Sequence, residues 1–207
     1  MALSVPQWAR KQGAWIFGAR TSAYSPGYMF KKKRVALGPA RFEYLTSVWV
    51  ELGLPKDNFT PVKVAADMVQ GSIKDSFDAD TKLGLQMFGI EIGAGAKLAK
   101  QVSLEVNDIT GKTLDDEAWS PMKLARLLNG LDKPKISRLF VAHTLYYASS
   151  CNVTISTDGS HEANVQLTQY LVEAGHEVNK QSEKELSFVN TSDVPFAFSG
   201  MRSKRVE

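Results

Sequence analysis

With 207 residues, 43% of them apolar, the chain carries enough hydrophobic material for one sizeable core and reads as a single domain over residues 1–207. No apolar run approaches the length of a transmembrane helix and the N-terminus lacks the apolar stretch of a signal peptide, so the sequence excludes a helical membrane protein and predicts a cytosolic chain. The net charge of +3 conceals an asymmetry: residues 1–42 hold eight basic residues (Arg10, Lys11, Arg20, Lys31, Lys32, Lys33, Arg34, Arg41) and no acidic one, whereas the remainder holds 17 basic against 22 acidic.

In chain order, Pro6 can open a helix that runs to about Ala19, with Trp8, Gln12, Trp15 and Ala19 along one side and Arg10 and Lys11 off that row. Basic residues beside tryptophan suit a helix lying at a lipid interface; they equally suit a helix packed on a sheet by its tryptophans. After the Ser25-Pro26-Gly27 turn, Tyr28-Met29-Phe30 and Val35-Ala36-Leu37 flank Lys31–Arg34, placing four charges in or beside a strand connection. A basic run can be a solvated face, a nucleic-acid contact or an anionic-lipid contact. Few stacking residues interleave with it, which disfavours nucleic acid. Arg41 to Leu54 reads as a strand and a short helix stopped by Gly53 and Pro55.

From Val69 to Val106 apolar and polar residues alternate over a long span. The odd row Val69, Ile73, Phe77, Ala79, Leu83, Leu85 and Met87 gives way, after a one-residue slip, to Phe88, Ile90, Ile92, Ala94, Ala96, Leu98, Val102, Leu104 and Val106. Alternate faces of a strand would be greasy and wet, and the slip reads as a bulge between two arms of a hairpin. Such a hairpin is either half-buried in a soluble sheet or long enough to cross a bilayer, which takes about 9–11 residues per tilted strand.

Ser120 and Pro121 then start a surface helix that Gly130 closes. A second apolar row, Leu139, Val141, Leu145, Tyr147, Cys151, Val153 and Ile155, leads to a turn at Thr157–Ser160 and a return strand through Ala163, Val165 and Leu167. Thr168 to Gly175 can add about two helical turns, and Glu185–Asn190 and Val194–Arg202 read as closing strands. The fold class is α+β: a twisted, mostly antiparallel sheet with two long amphipathic hairpins and peripheral helices.

Chemistry has little to stand on. His143, His161 and His176 lack metal spacing, Cys151 has no neighbouring base, and no nucleophile, zinc or phosphate-loop motif occurs. The reading is therefore no enzyme, no metal and no cofactor, with His143 as a satisfied core histidine. The lone cysteine excludes an internal disulfide.

The order of these features resembles the pore-forming N-terminal domain of the gasdermins. The resemblance spans about residues 28–206 and rests on Phe30-Lys-Lys-Lys-Arg34, a first hairpin ending Val102-Ser-Leu-Glu-Val106, a linking helix, a second hairpin from Leu139 and a closing Val194-Pro-Phe-Ala-Phe198 strand. The compact form is most similar to the fungal regulator-of-cell-death gasdermins. What this implies is a protein, cytosolic at rest, that docks on acidic phospholipids of the plasma membrane through Arg10, Lys11, Trp15, Lys31, Lys32, Lys33 and Arg34. It then oligomerises and refolds into a transmembrane β-barrel, inserting Leu83, Leu85, Met87, Ile90, Ile92, Leu98, Val102 and Leu104 from the first hairpin. The second hairpin contributes Val141, Leu145, Tyr147, Val153, Ile155, Val165 and Leu167. The implied partners are further copies and an allelic, gasdermin-like chain that triggers assembly, with no nucleic acid and no C-terminal inhibitory domain. The competing reading is a soluble module that binds anionic lipid or a protein without forming pores.

Overall fold

The computed structural model describes residues 5–17, 22–33, 41–66, 71–76, 82, 85–86, 88, 90, 92–131, 139–180 and 182–202. Its strands are β1 (Trp15–Ile16), β2 (Tyr28–Lys33), β3 (Arg41–Ser47), β4 (Pro61–Ala65), β5 (Gly71–Ser76), β6 (Gln101–Leu114), β7 (Leu139–Ser156), β8 (Asn179–Lys180), β9 (Glu185–Thr191) and β10 (Ala197–Arg202). The helices are α1 (Val5–Lys11), α2 (Val48–Leu52), α3 (Asp116–Trp119), α4 (Pro121–Asn129) and α5 (His161–Glu173), with 3-10 turns at Lys56–Phe59 and Gly93–Lys97. All ten strands join one sheet, and every pairing among the described residues is antiparallel. The α+β class and the antiparallel sheet with peripheral helices agree with the sequence reading.

The spine is β6 against β7, 14 and 18 residues long, in register from Gln101 opposite Ser156 to Thr113 opposite Thr144. Along its β6 side, β7 also takes β2 at Leu139–Val141; along the other side it takes β10 at Phe140–Tyr146 and β9 at Ser150–Ser156. Both faces of β7 are covered in its first half, so Leu139, Phe140, Val141, Ala142, Leu145 and Tyr146 are all buried. One core, with Met29, Val48, Phe59, Leu114, Leu124, Leu128, Leu139 and Val141, lies under α2 and α4. The larger core, on the opposite face, gathers Trp8, Phe17, Phe30, Phe140 and Phe198 with the apolar rows of β6, β7 and β9.

Local signals predicted from sequence appear where their chemistry is self-contained. Ser120 Oγ accepts from the Lys123 amide with Pro121 in the first turn, and Leu124 and Leu128 face the core. Gly53 ends α2 at φ 66°, a left-handed conformation that costs glycine nothing. His143 is a satisfied core histidine: Thr113 Oγ1 lies 3.1 Å from Nδ1, and the Trp119 carbonyl 3.0 Å from Nε2. Burial pushes the Cys151 thiol up to about 12.

Three expectations give way. The first helix ends at Lys11 rather than near Ala19, because Gly13 turns left-handed at φ 73° and releases Trp15–Ile16 to pair with β10. The stretch holding Leu85, Ile90, Ile92 and Leu98 is no strand. Leu85 and Gln86 are helical and Gly93–Lys97 is a 3-10 turn. Local bonds, Phe88 and Ile90 amides to the Leu85 carbonyl and Leu98 amide to the Gly95 carbonyl, replace a ladder. Leu83, Met87 and Arg34 lie outside the described residues. Finally, Val165 and Leu167 sit on helix α5 rather than a return strand. Ser160 Oγ caps it by accepting from the Ala163 amide, and its inner face is Ala163, Asn164, Leu167 and Leu171, a helical spacing that leaves Val165 42% exposed.

Candidate functional site

The basic surface is built by β2. Tyr28, Met29 and Phe30 anchor the strand, Met29 and Phe30 fully buried, so the chain emerges from the core with Lys31, Lys32 and Lys33 exposed. Alternation sends Lys31 and Lys33 to the face that carries Glu43, which stands opposite Lys31 and pairs with Lys33 Nζ at 3.0 Å. Lys32 lies on the other face, in register with buried Phe42. Three ammonium groups against one carboxylate leave the strand end cationic on both faces.

Tertiary structure adds a cation that the sequence reading missed. Arg202 and Phe30 are both in register with Phe140, from strands on either side of β7, and the Arg202 guanidinium stands 5.8 Å over the Phe140 ring. It therefore joins the same end of the sheet as Lys31–Lys33, about 170 residues away in sequence. The only sequence signal was one more basic residue near the end of a closing strand.

Helix α1 presents Arg10 and Lys11 to solvent in its last turn, where cations complement the helix dipole, while Trp8 and Ala9 face the core. Trp8 stacks 6.1 Å from Phe196. Trp15 is held between Phe140 (5.3 Å) and Phe198 (5.6 Å) and is partly buried. In this state its ring is a packing element that fastens β1 onto the sheet rather than a free interfacial side chain.

The second part of the site is the sheet face of β6 and β7. Val102, Leu104, Val106, Cys151, Val153 and Ile155 form a continuous buried apolar row, whereas Gln101, Glu105 and Asn152 on the reverse face are exposed. Packed into the same core as the apolar row are Leu85, Phe88, Ile90 and Ile92, from a stretch that the sequence reading took for a strand, together with Leu167 and Leu171 of α5. Val141 and Leu145 belong to the doubly covered half of β7, and Tyr147 is partly buried beside Lys112. Among the described residues no helix is long and apolar enough to cross a membrane, and no group of three His, Cys, Asp or Glu side chains could hold a metal.

Residues 60–206 match the model of the Bacterial Gasdermin Family. Among solved structures, the chain is similar to a bacterial gasdermin from Bradyrhizobium tropiciagri, with a TM-score of 0.51 and 13% identity over 92% of this chain and 82% of that one. No curated protein matches. Since the family match covers most of the chain and the shared fold extends over nearly all of it, this protein belongs to the bacterial gasdermin family, a membership that suggests a pore-forming role in cell death.

Proposed function

We propose that this chain rests as a cytosolic monomer, docks on acidic phospholipid at the plasma membrane and then inserts strands as an oligomeric β-barrel. The observation that carries the reading is the amphipathic β6–β7 pair. The two strands, 14 and 18 residues long, each exceed the roughly 9–11 a tilted strand needs to cross a bilayer, and over residues 101–106 and 151–156 they present one apolar and one polar face. Their apolar face is covered by a helical segment and by α5, so exposing it requires unfolding local helix rather than breaking the spine. Residues 82–98, with Leu83, Leu85, Met87, Ile90, Ile92 and Leu98, would extend β5 alongside β6, and α5, with Val165 and Leu167, would extend alongside β7. A lone hairpin in lipid leaves unpaired backbone edges, so insertion and ring closure are coupled.

Docking in this reading belongs to Lys31, Lys32 and Lys33, with Arg34, Arg10, Lys11 and Arg202 adding charge. Trp15 would reach the headgroups only after leaving its packed position. The trigger is a related second chain, as in the fungal proteins that the sequence resembles; it is supported by β3, which ends the sheet path with an outer edge free of ladder partners among the described residues. Dye release from liposomes with and without acidic lipid, for this chain alone and mixed with a divergent relative, tests both parts. Rapid release that needs acidic lipid and the second chain is expected. Vesicle binding without release under every condition would overturn pore formation, and equal release by the chain alone would overturn the trigger.

A further inference from the structure

A groove of about 750 Å³ crosses the sheet face where β7 changes partners. β10 pairs with β7 only as far as Tyr146 and β9 begins its pairing at Ser150, so along that side Tyr147–Ser149 has no ladder partner among the described residues. Tyr147 and Ser149 form the floor, the β4–β6 pair one wall, and Thr191, at the end of β9, with Asp193, in the connection to β10, the other.

The β4–β6 wall carries Lys63 directly opposite Lys112. Like charges so placed, with Cβ atoms roughly 5 Å apart, repel each other and weaken the sheet. Neither groove lysine takes part in an ion pair with another described residue, as Lys33 does with Glu43. Lys112 Nζ instead stands 4.8 Å over the Tyr147 ring, which aims it across the groove. An anion between the two ammonium groups would replace repulsion by two charge-assisted hydrogen bonds. The opposite wall differs in chemistry: the hydroxyls of Ser149 and Thr191 and the Asp193 carboxylate can donate to or accept from hydroxyl groups, and Asp193 repels a second anion there.

We propose that this groove binds a phosphate monoester of a polyol, the phosphate between Lys63 and Lys112 and the hydroxylated body against Ser149, Thr191 and Asp193. The site lies roughly 25 Å along β7 from the register position of Lys31, at 3.3 Å per residue, so it stands apart from the membrane-docking surface, while its floor at Tyr147 belongs to the β6–β7 pair that the pore reading inserts. Such an ester reaches the groove either as a lipid headgroup or as a free metabolite.

Calorimetric titration of the full chain with myo-inositol 1-phosphate, and flotation with phosphatidylcholine vesicles carrying phosphatidylinositol 4-phosphate, separate these sources. Saturable binding of the soluble ester is expected, weakened at least tenfold in Lys63→Gln/Lys112→Gln and unchanged in Lys31→Gln/Lys32→Gln/Lys33→Gln. Because both groove lysines are exposed and mutually repulsive, the first variant should melt at or above the wild type, so weaker binding would not reflect lost folding. Flotation that also falls in the groove variant identifies a headgroup; flotation indifferent to it identifies the free ester. Absence of saturable binding to the soluble ester, or equal binding by the groove variant, overturns the proposal.

Discussion

Gly95 lies so close beneath Leu167 that a Cβ on Gly95 would stand 2.8 Å from Leu167 Cδ1. The contact joins the 3-10 turn at Gly93–Lys97 to helix α5, the two helical pieces that cover the apolar face of β6 and β7. A side chain at this position would separate them, so glycine serves packing here rather than a turn. The proposed inserted form would have to part this contact.

A disulfide across it should hold the protein at rest. The same Cβ position on Gly95 falls 3.3 Å from Tyr170 Cβ, close to the roughly 3.5–4.5 Å that a disulfide spans. Gly95→Cys/Tyr170→Cys, oxidised, is expected to bind acidic vesicles but release no dye, and to recover release when reduced. Cys151 should not interfere, since burial keeps its thiol protonated. Equal leakage by the oxidised and reduced forms would show that the cover does not need to open.

Widening the same contact should act in the opposite direction. Gly95→Val forces Leu167 and Tyr170 outward, and overpacking of this kind costs about 1–3 kcal/mol. At about 2–4 °C per kcal/mol for a chain of this size, Tm should fall by several degrees while dye release becomes faster. A lower Tm with unchanged or slower release would detach the cover from the activation step.

Docking should follow the charge at the end of β2. At about 1 kcal/mol per basic residue near an anionic surface, Lys31→Ala/Lys32→Ala/Lys33→Ala removes on the order of 3 kcal/mol, roughly a hundredfold in vesicle partitioning. Glu43→Gln frees Lys33 from its exposed ion pair, with little effect on stability, and should strengthen partitioning by up to about fivefold. Sedimentation with acidic vesicles measures both; a triple variant that sediments like the wild type would move docking elsewhere.

Acid should loosen the far end of α5. His176 stacks 4.4 Å from Phe188, its Nε2 is buried with no hydrogen-bond partner among the described residues, and burial lowers its pKa from the ordinary 6.5. The fold thus disfavours the proton. This contribution to stability is full above the unfolded value of 6.5 and is lost as pH falls below it toward the folded value. Thermal unfolding followed across that range should show a decline that His176→Phe reduces. Identical pH profiles for the two proteins would assign the decline to other groups.

Much of this architecture follows from short-range chemistry that a sequence displays directly. Ser120 and Pro121 start α4, Gly53 stops α2, and the alternation of Leu139 to Ile155 makes a strand in almost any antiparallel setting, because each depends on residues a few positions apart. The basic strand end at Lys31–Lys33 was equally legible, since nothing nearby could bury three ammonium groups. Residues 85–98 and 161–173 were not. Their apolar residues can be arranged on a strand face or on a helix face, and hydrogen bonds within a few residues compete with a distant ladder. Helical bonds win at Gly93–Lys97 and His161–Glu173, where Gly95 lets the 3-10 turn and α5 fit together beside the apolar core of β6 and β7. Arg202 beside Phe30, and Lys63 opposite Lys112, likewise depend on strand register, which only the assembled sheet decides.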